Sequence, residues 1–200
     1  MSSIKVKPND TKEIMMRSGT LNEKRAADDV EEPMSIEGYA VVFDEPTDLG
    51  YIEVIDSGAL DNCDMSDTCL KYNHEDGYPV MARVRNNSLR LEIDEHGLKV
   101  NADLIDMQSN VDIYKAIRSG LLDKMSFAFI VSDAYWDTID GVDVRHITGI
   151  SKLFDVSVVD IPAYDQTEVY ARGREGVEKE REEYHKLKLE KDKLKLKLSI

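Results

Sequence analysis

Cysteine is scarce in this chain, with Cys63 and Cys69 the only two in 200 residues. That number rules out a disulfide framework and suits a reducing compartment. Long apolar runs are missing too. The longest are no longer than Tyr39-Ala40-Val41-Val42-Phe43 and Phe127-Ala128-Phe129-Ile130-Val131. A spanning helix needs roughly 20 apolar residues, so no membrane span is expected. No charged start followed by an apolar stretch opens the chain, so no signal peptide is expected either. Basic residues are outnumbered, 26 Lys+Arg against 40 Asp+Glu, for a formal net charge of −14. Nucleic-acid phosphates and anionic membrane surfaces both call for a surplus of Lys and Arg, so neither is an expected partner. There is no G-x-G-x-x-G and no G-x-x-x-x-G-K-[ST], which leaves a nucleotide fold unsupported.

What remains is an ordinary globular composition, 42% apolar and 33% charged. The length allows one domain with tails, or two small ones, and a core that needs no staples. Three stretches are expected: a flexible N-terminus over 1–10, a folded body over 11–170, and a charged, partly helical tail over 171–200. Residues 22–35, charged and almost without core residues, read as a loop or mobile insert. From Ala171 onward there are ten Lys+Arg against seven Asp+Glu, a basic tail on an acidic body. Glu178 to about Glu190 looks helical, and Leu187, Leu194 and Leu198 lie at near-heptad spacing, yet a solvated tail explains them as well.

Strand signals dominate the body. Ile36 to Phe43 is β-rich. Leu89, Leu91 and Ile93 alternate, Asp94-Glu95-His96-Gly97 reads as a turn, and Leu98, Val100 and Ala102 alternate again, which predicts a hairpin. Met125 to Val131 is a third strand. Val142 to Ile150 and Lys152 to Val159 read as a further antiparallel pair. One helix is expected between a Ser109 cap and Gly120, with Val111, Tyr114 and Ile117 on one face. A shorter helix is expected between Gly58 and about Cys69. This pattern indicates a β-rich α+β barrel or sandwich.

Four histidines limit the choice of general base: His74, His96, His146 and His185. His185 sits in the charged tail and His96 in the hairpin turn. His146 lies in a strand. His74 ends a short strand and enters a turn. Ser126 shares a strand face with the small Ala128, which leaves room for a substrate backbone, although this segment alone favours a plain structural serine. Asp155 lies in the apolar strand Leu153 to Val159, where an acid must be paired or hydrogen-bonded. It could orient a histidine or form a structural ion pair. Cys63, Cys69 and His74, separated by five and four residues, lack the paired close ligands that zinc favours.

Five segments then occur in order: Gly38-Tyr39-Ala40-Val41-Val42-Phe43, Tyr51 to Leu60 with its Gly58-Ala59, Asn73-His74-Glu75-Asp76, Met125-Ser126-Phe127-Ala128-Phe129, and Asp155-Val156-Ser157 leading to Pro162-Ala163-Tyr164. Together, over about 36–170, they resemble the prohead (procapsid maturation) proteases of tailed bacteriophages and prophages. The resemblance implies a serine endopeptidase with a herpesvirus-protease-like fold: α+β, a β-rich closed or partly open antiparallel barrel with a few flanking helices. It implies Ser126 as nucleophile, His74 as general base and Asp155 as the third member. The related herpesvirus enzymes use a second histidine there, which keeps His146 as the alternative. Family members often carry Asp directly after the histidine, where this chain has Glu75.

Implied substrates are the scaffold segment of the major capsid protein or a separate scaffold protein, and the protease itself. A homo-oligomer is implied, inside the procapsid in the host bacterial cytoplasm, with no metal and no organic cofactor. Two other classes compete. One is a non-catalytic procapsid assembly protein of the same fold, which would keep its function in Ser126→Ala. The other is a cysteine or metal hydrolase built on Cys63 or Cys69 with His74, which replacing both cysteines would abolish.

Overall fold

The computed structural model describes residues 4–5, 13–23, 34–160 and 167–198, and for 13–23 and 167–175 the backbone alone. Most of the expected insert at 22–35 lies outside these residues. Among them the chain is a strand-rich α+β body. Its strands are β1 (Ile4–Lys5), β2 (Glu13–Glu23), β3 (Ser35–Val42), β4 (Thr47–Asp48), β5 (Ile52–Ile55), β6 (Cys69–Tyr72), β7 (Ala82–Arg83), β8 (Leu89–Ile93), β9 (Gly97–Asp103), β10 (Lys124–Ile139) and β11 (Val142–Val159). Two helices accompany them, α1 (Gln108–Arg118) and α2 (Thr167–Leu198). No described helix is long and apolar enough to cross a membrane.

The strands pair in the order β4-β5-β11-β10-β2-β3-β9-β8. β6 joins the free edge of β11 beyond β5, and β7 pairs with β6. This path is open, because no ladder joins β7 to β8, so the expected closed barrel is not formed among the described residues. The sheet is not purely antiparallel either. Both β5 and β6 run parallel to β11, reached by long crossing segments rather than hairpins.

The expected hairpin is β8–β9, with Leu91 opposite Val100 and Leu89 opposite Ala102. Its turn is held by Asp94, whose Oδ1 accepts the backbone N–H groups of His96 (2.8 Å) and Gly97 (3.0 Å). The antiparallel pair expected over 142–159 is instead the single 18-residue strand β11, paired along its whole length with β10. Within β11, Gly149 serves a close approach. A Cβ there would lie 2.7 Å from Ser132 Oγ, at a register shift between the two strands.

The helix expected between Gly58 and Cys69 is absent. Gly58 is left-handed (φ 90°), and successive i→i+3 turns follow through Cys63. Asp64 then pairs with β11 by a backbone bridge to Lys152, which draws the segment onto the sheet before a helix can propagate. In α1 the cap is Met107, with no capping side chain, so Ser109 does not cap. The Asn110 amide fixes the start by donating to Ile105 O at 3.0 Å. The buried face is Asn110, Ile113 and Ile117, with Val111 and Tyr114 half-buried beside it. Gly120 ends the helix in the left-handed region at φ 75°.

The main core lies between the strands and α1, around Leu70, Leu98, Val100, Phe127, Phe129 and Ile147. Each such side chain contributes roughly 1.5–3 kcal/mol by leaving water. Phe127 and Phe129 also stack, with ring centroids 4.7 Å apart. A second cluster joins Trp136 of β10 to Val177 and Tyr184 of α2. The first part of the expected tail is therefore packed rather than solvated. Beside it Arg145 is buried between Glu53 (3.1 Å) and Glu180 (3.0 Å), which ties α2 to β5 and β11.

Candidate active site

Three adjacent strands present the site residues on one face. In the β10–β11 ladder Ser126 lies opposite Ser157, and Ala128 opposite Asp155. In the parallel β11–β6 ladder Asp155 lies opposite Cys69, and Ser157 opposite Lys71. Directly opposed residues share a face, so Ser126, Asp155 and Ser157 point the same way. Ala128 keeps that face low beside Ser126. The β10–β2 ladder skips from Met125–Gly19 to Phe127–Met15, which leaves Met16, Arg17 and Ser18 as a bulge opposite Ser126.

His74 reaches the face by a turn. After β6, Asn73 N–H donates to Val158 O at 3.0 Å, and Asn73 Oδ1 accepts Asp160 N–H at 3.2 Å. Both Asn73 (φ 49°) and His74 (φ 57°) are then left-handed. That conformation costs about 1–3 kcal/mol per non-glycine residue and persists only where contacts enforce it. It swings the imidazole back across β11, over Asp155 and Ser126.

The imidazole bridges the two. His74 Nδ1 lies 2.5 Å from Asp155 Oδ1, and Nε2 lies 2.7 Å from Ser126 Oγ. A carboxylate only accepts, so Asp155 sets the tautomer with its proton on Nδ1. Nε2 is left as the acceptor for the Ser126 hydroxyl. Asp155 and Ser126 are buried, and the His74 side chain is 5% exposed. In such surroundings each of these bonds is electrostatically stronger than in water.

Ser157, to which the sequence assigns no role, completes the set. Its hydroxyl donates to Asp155 Oδ1 at 2.9 Å, accepts the His74 backbone N–H at 3.3 Å, and lies 3.2 Å from His74 Nδ1. Lys71 is also on this face, bonded through Nζ to Asp76 at 2.5 Å. Burial disfavours its charge, but the Asp76 partner and the Asp155 carboxylate outweigh that and raise its pKa.

The other candidates lie elsewhere. His146 is on β11 nine residues before Asp155, about 30 Å along a strand. Its Nδ1 bonds Asp56 Oδ1 at 2.8 Å, and its ring stacks on Tyr135 with centroids 4.6 Å apart. The structure does not join it to His74. His96 packs edge-on against Tyr39, and His185 contacts Asp143. Cys69 Sγ points to Phe154 O at 3.7 Å. Burial, with the Asp64 charge, pushes the Cys63 thiol up to about 11, and burial with Asp155 raises that of Cys69. Both are thiols at neutral pH, which is the wrong form for a nucleophile. No group of three or more His, Cys, Asp or Glu is placed to hold a metal among the described residues.

A hydroxyl bonded to an imidazole that is itself bonded to a carboxylate is the arrangement of a serine hydrolase. The family model described as caudovirus prohead serine protease matches residues 21–182. The chain belongs to that family. The match runs past Ala171 to Glu182 of α2, and so takes in Val177 of the cluster around Trp136. No curated protein and no solved structure matches the chain significantly.

Proposed function

We propose that this protein is a serine endopeptidase that cleaves capsid scaffold segments, and itself, during procapsid maturation inside the phage prohead. The observation that carries this reading is the continuous chain Ser126–His74–Asp155, with 2.7 Å and 2.5 Å links. Ser126 Oγ attacks the scissile carbonyl while His74 Nε2 takes its proton. Asp155 stabilises the imidazolium without taking the proton itself. The tetrahedral intermediate collapses as His74 returns the proton to the leaving amine, which leaves an acyl-Ser126. Water, deprotonated by His74, then attacks that ester and frees the enzyme. We place the oxyanion beside the bulge opposite Ser126, since interrupted ladders at active sites re-aim backbone groups.

The family supports the capsid substrates and the location in the prohead. We also read β6–β7 and the β11-β10-β2-β3-β9-β8 path as a partly open barrel of the herpesvirus-protease kind. Its gap lies between β7 and β8, where Ser88 Oγ accepts Arg83 N–H at 2.9 Å. The experiment is co-expression of wild type, Ser126→Ala and His74→Ala with the cognate capsid and scaffold proteins, followed by fragment masses. Wild type yields scaffold and self fragments, and both variants leave every chain intact. The same fragments from all three would overturn the reading.

A further inference from the structure

The β10–β11 hairpin has two faces with different surroundings. Trp136, Thr138, Asp143 and Arg145 point to one side, where α2 packs through Val177, Glu180, Tyr184 and Lys188. The alternate residues Tyr135, Ile139, Val142, Val144 and His146 point to the other. There they line an open cavity of about 1150 Å³ together with β4 and β5. Its floor is apolar, with Ile52, Val54, Val142 and Val144. Its lining carries Asp44, Asp48, Asp56 and Asp140 and no Lys or Arg among the described residues. The volume exceeds the roughly 300–1000 Å³ usual for small-molecule sites and suits a segment of chain instead.

The far end of α2 has the opposite character. Residues 187–198 hold five Lys against Glu190 and Asp192, a net charge of +3. Leu187, Leu194 and Leu198 form a stripe at i, i+7 and i+11, and they are 38%, 60% and 81% exposed. This segment cannot fill the cavity of its own chain. The helix lies on the opposite face of the hairpin, passes Thr138 at Lys188, and runs on about 15 Å further at 1.5 Å per residue.

We propose that the cavity on the β4–β5–β11 face receives the basic, leucine-striped end of α2 from a second copy of this chain. The leucines lie on the apolar floor and the lysines meet the aspartates, a helix-in-groove contact. The contact is head-to-tail, so each copy keeps a free groove and a free helix end, and assembly continues until a ring closes. The proposal does not rest on the peptidase reading.

The test uses full-length protein carrying Ser126→Ala, so that self-cleavage cannot confuse the masses, and sedimentation velocity over a concentration series. One variant damages the groove (Asp140→Asn with Val142→Lys). Another damages the helix end (Lys193→Glu, Leu194→Glu and Lys197→Glu). The groove residues Ile139 and Val142 and the helix end are exposed, and Asn tolerates the left-handed φ of 51° at Asp140. Thermal midpoints close to the parent confirm folding. The parent self-associates with rising concentration, and each variant alone stays at the 22.7 kDa monomer. An equimolar mixture gains a 1:1 dimer, because one sound groove meets one sound helix end. A parent that stays monomeric to about 100 μM would overturn the proposal and leave the groove to a basic segment of another protein. So would variants that still associate alone, or a mixture that does not pair.

Discussion

At the residue scale, removing the Ser157 hydroxyl takes one donor from the Asp155 carboxylate and leaves the His74 backbone N–H without this acceptor. A buried donor left without its acceptor costs about 1–3 kcal/mol. Here part of that loss falls on the left-handed turn that aims the imidazole. Ser157→Ala is therefore expected to lower kcat about tenfold or more with KM little changed, since the reacting groups and not the peptide contacts are displaced. Steady-state kinetics on a scaffold-derived peptide read this directly. Asp155→Asn acts on the same imidazole through the tautomer, because an amide can donate to Nδ1 and leave the proton on Nε2. A fall in kcat of about 10⁴ is expected, the size of effect known when the triad carboxylate of a serine protease is replaced by its amide.

The cysteines give a separate check at the same scale. Cys63→Ser and Cys69→Ser should leave hydrolysis at neutral pH unchanged. Alkylation of Cys63 should be slow at pH 8 and reach half its maximum rate near pH 11, where its thiol ionises. The raised folded value also fixes a sign. The unfolded thiol ionises first, near 9, so its contribution to stability is complete below pH 9 and is lost as pH rises to about 11. Unfolding midpoints of wild type and Cys63→Ala should converge across that window. Parallel midpoints would contradict the burial of this thiol.

Among the elements, α2 is held by charge as much as by apolar contact. Arg145 has no exposed surface and serves two buried carboxylates on different elements, Glu53 and Glu180. Arg145→Ala takes a buried cation from both, and removing one partner of a buried pair typically costs about 3–5 kcal/mol. Equilibrium denaturation should show a loss of that size, whereas Leu194→Ala, on the projecting end, should change stability by less than about 0.5 kcal/mol. Equal effects would mean that α2 is not anchored at Arg145. The strands show how far local pattern reaches. The β8–β9 alternation and its Asp94 turn are local, so they were legible. That β11 continues through Gly149 depends on how closely β10 approaches it, and that β5 and β6 run parallel to it depends on crossing segments. Neither fact is written in a short window of residues.

For the whole molecule, the parts of the candidate site were legible because they are ordered motifs: Asn73-His74, Met125-Ser126-Phe127 and Asp155-Val156-Ser157. Their convergence was not. Ser126 meets Ser157 only through a β10–β11 register that includes a shift between Ala128 and Phe129, and His74 arrives only through two left-handed residues after β6. Ser157 was in view as part of a motif, but its contact with both partners of the imidazole is a property of that register.

Every step of the proposed hydrolysis depends on Ser126 being a nucleophile activated by His74. Reaction with a fluorophosphonate, with the adduct mapped by peptide mass spectrometry, tests it most directly. One adduct on Ser126 in wild type, and a labelling rate at least 100-fold lower in His74→Ala, is the expected result, in line with the roughly 10²–10⁴-fold contribution of a positioned base. An adduct on another residue, or an unchanged rate without His74, would contradict it.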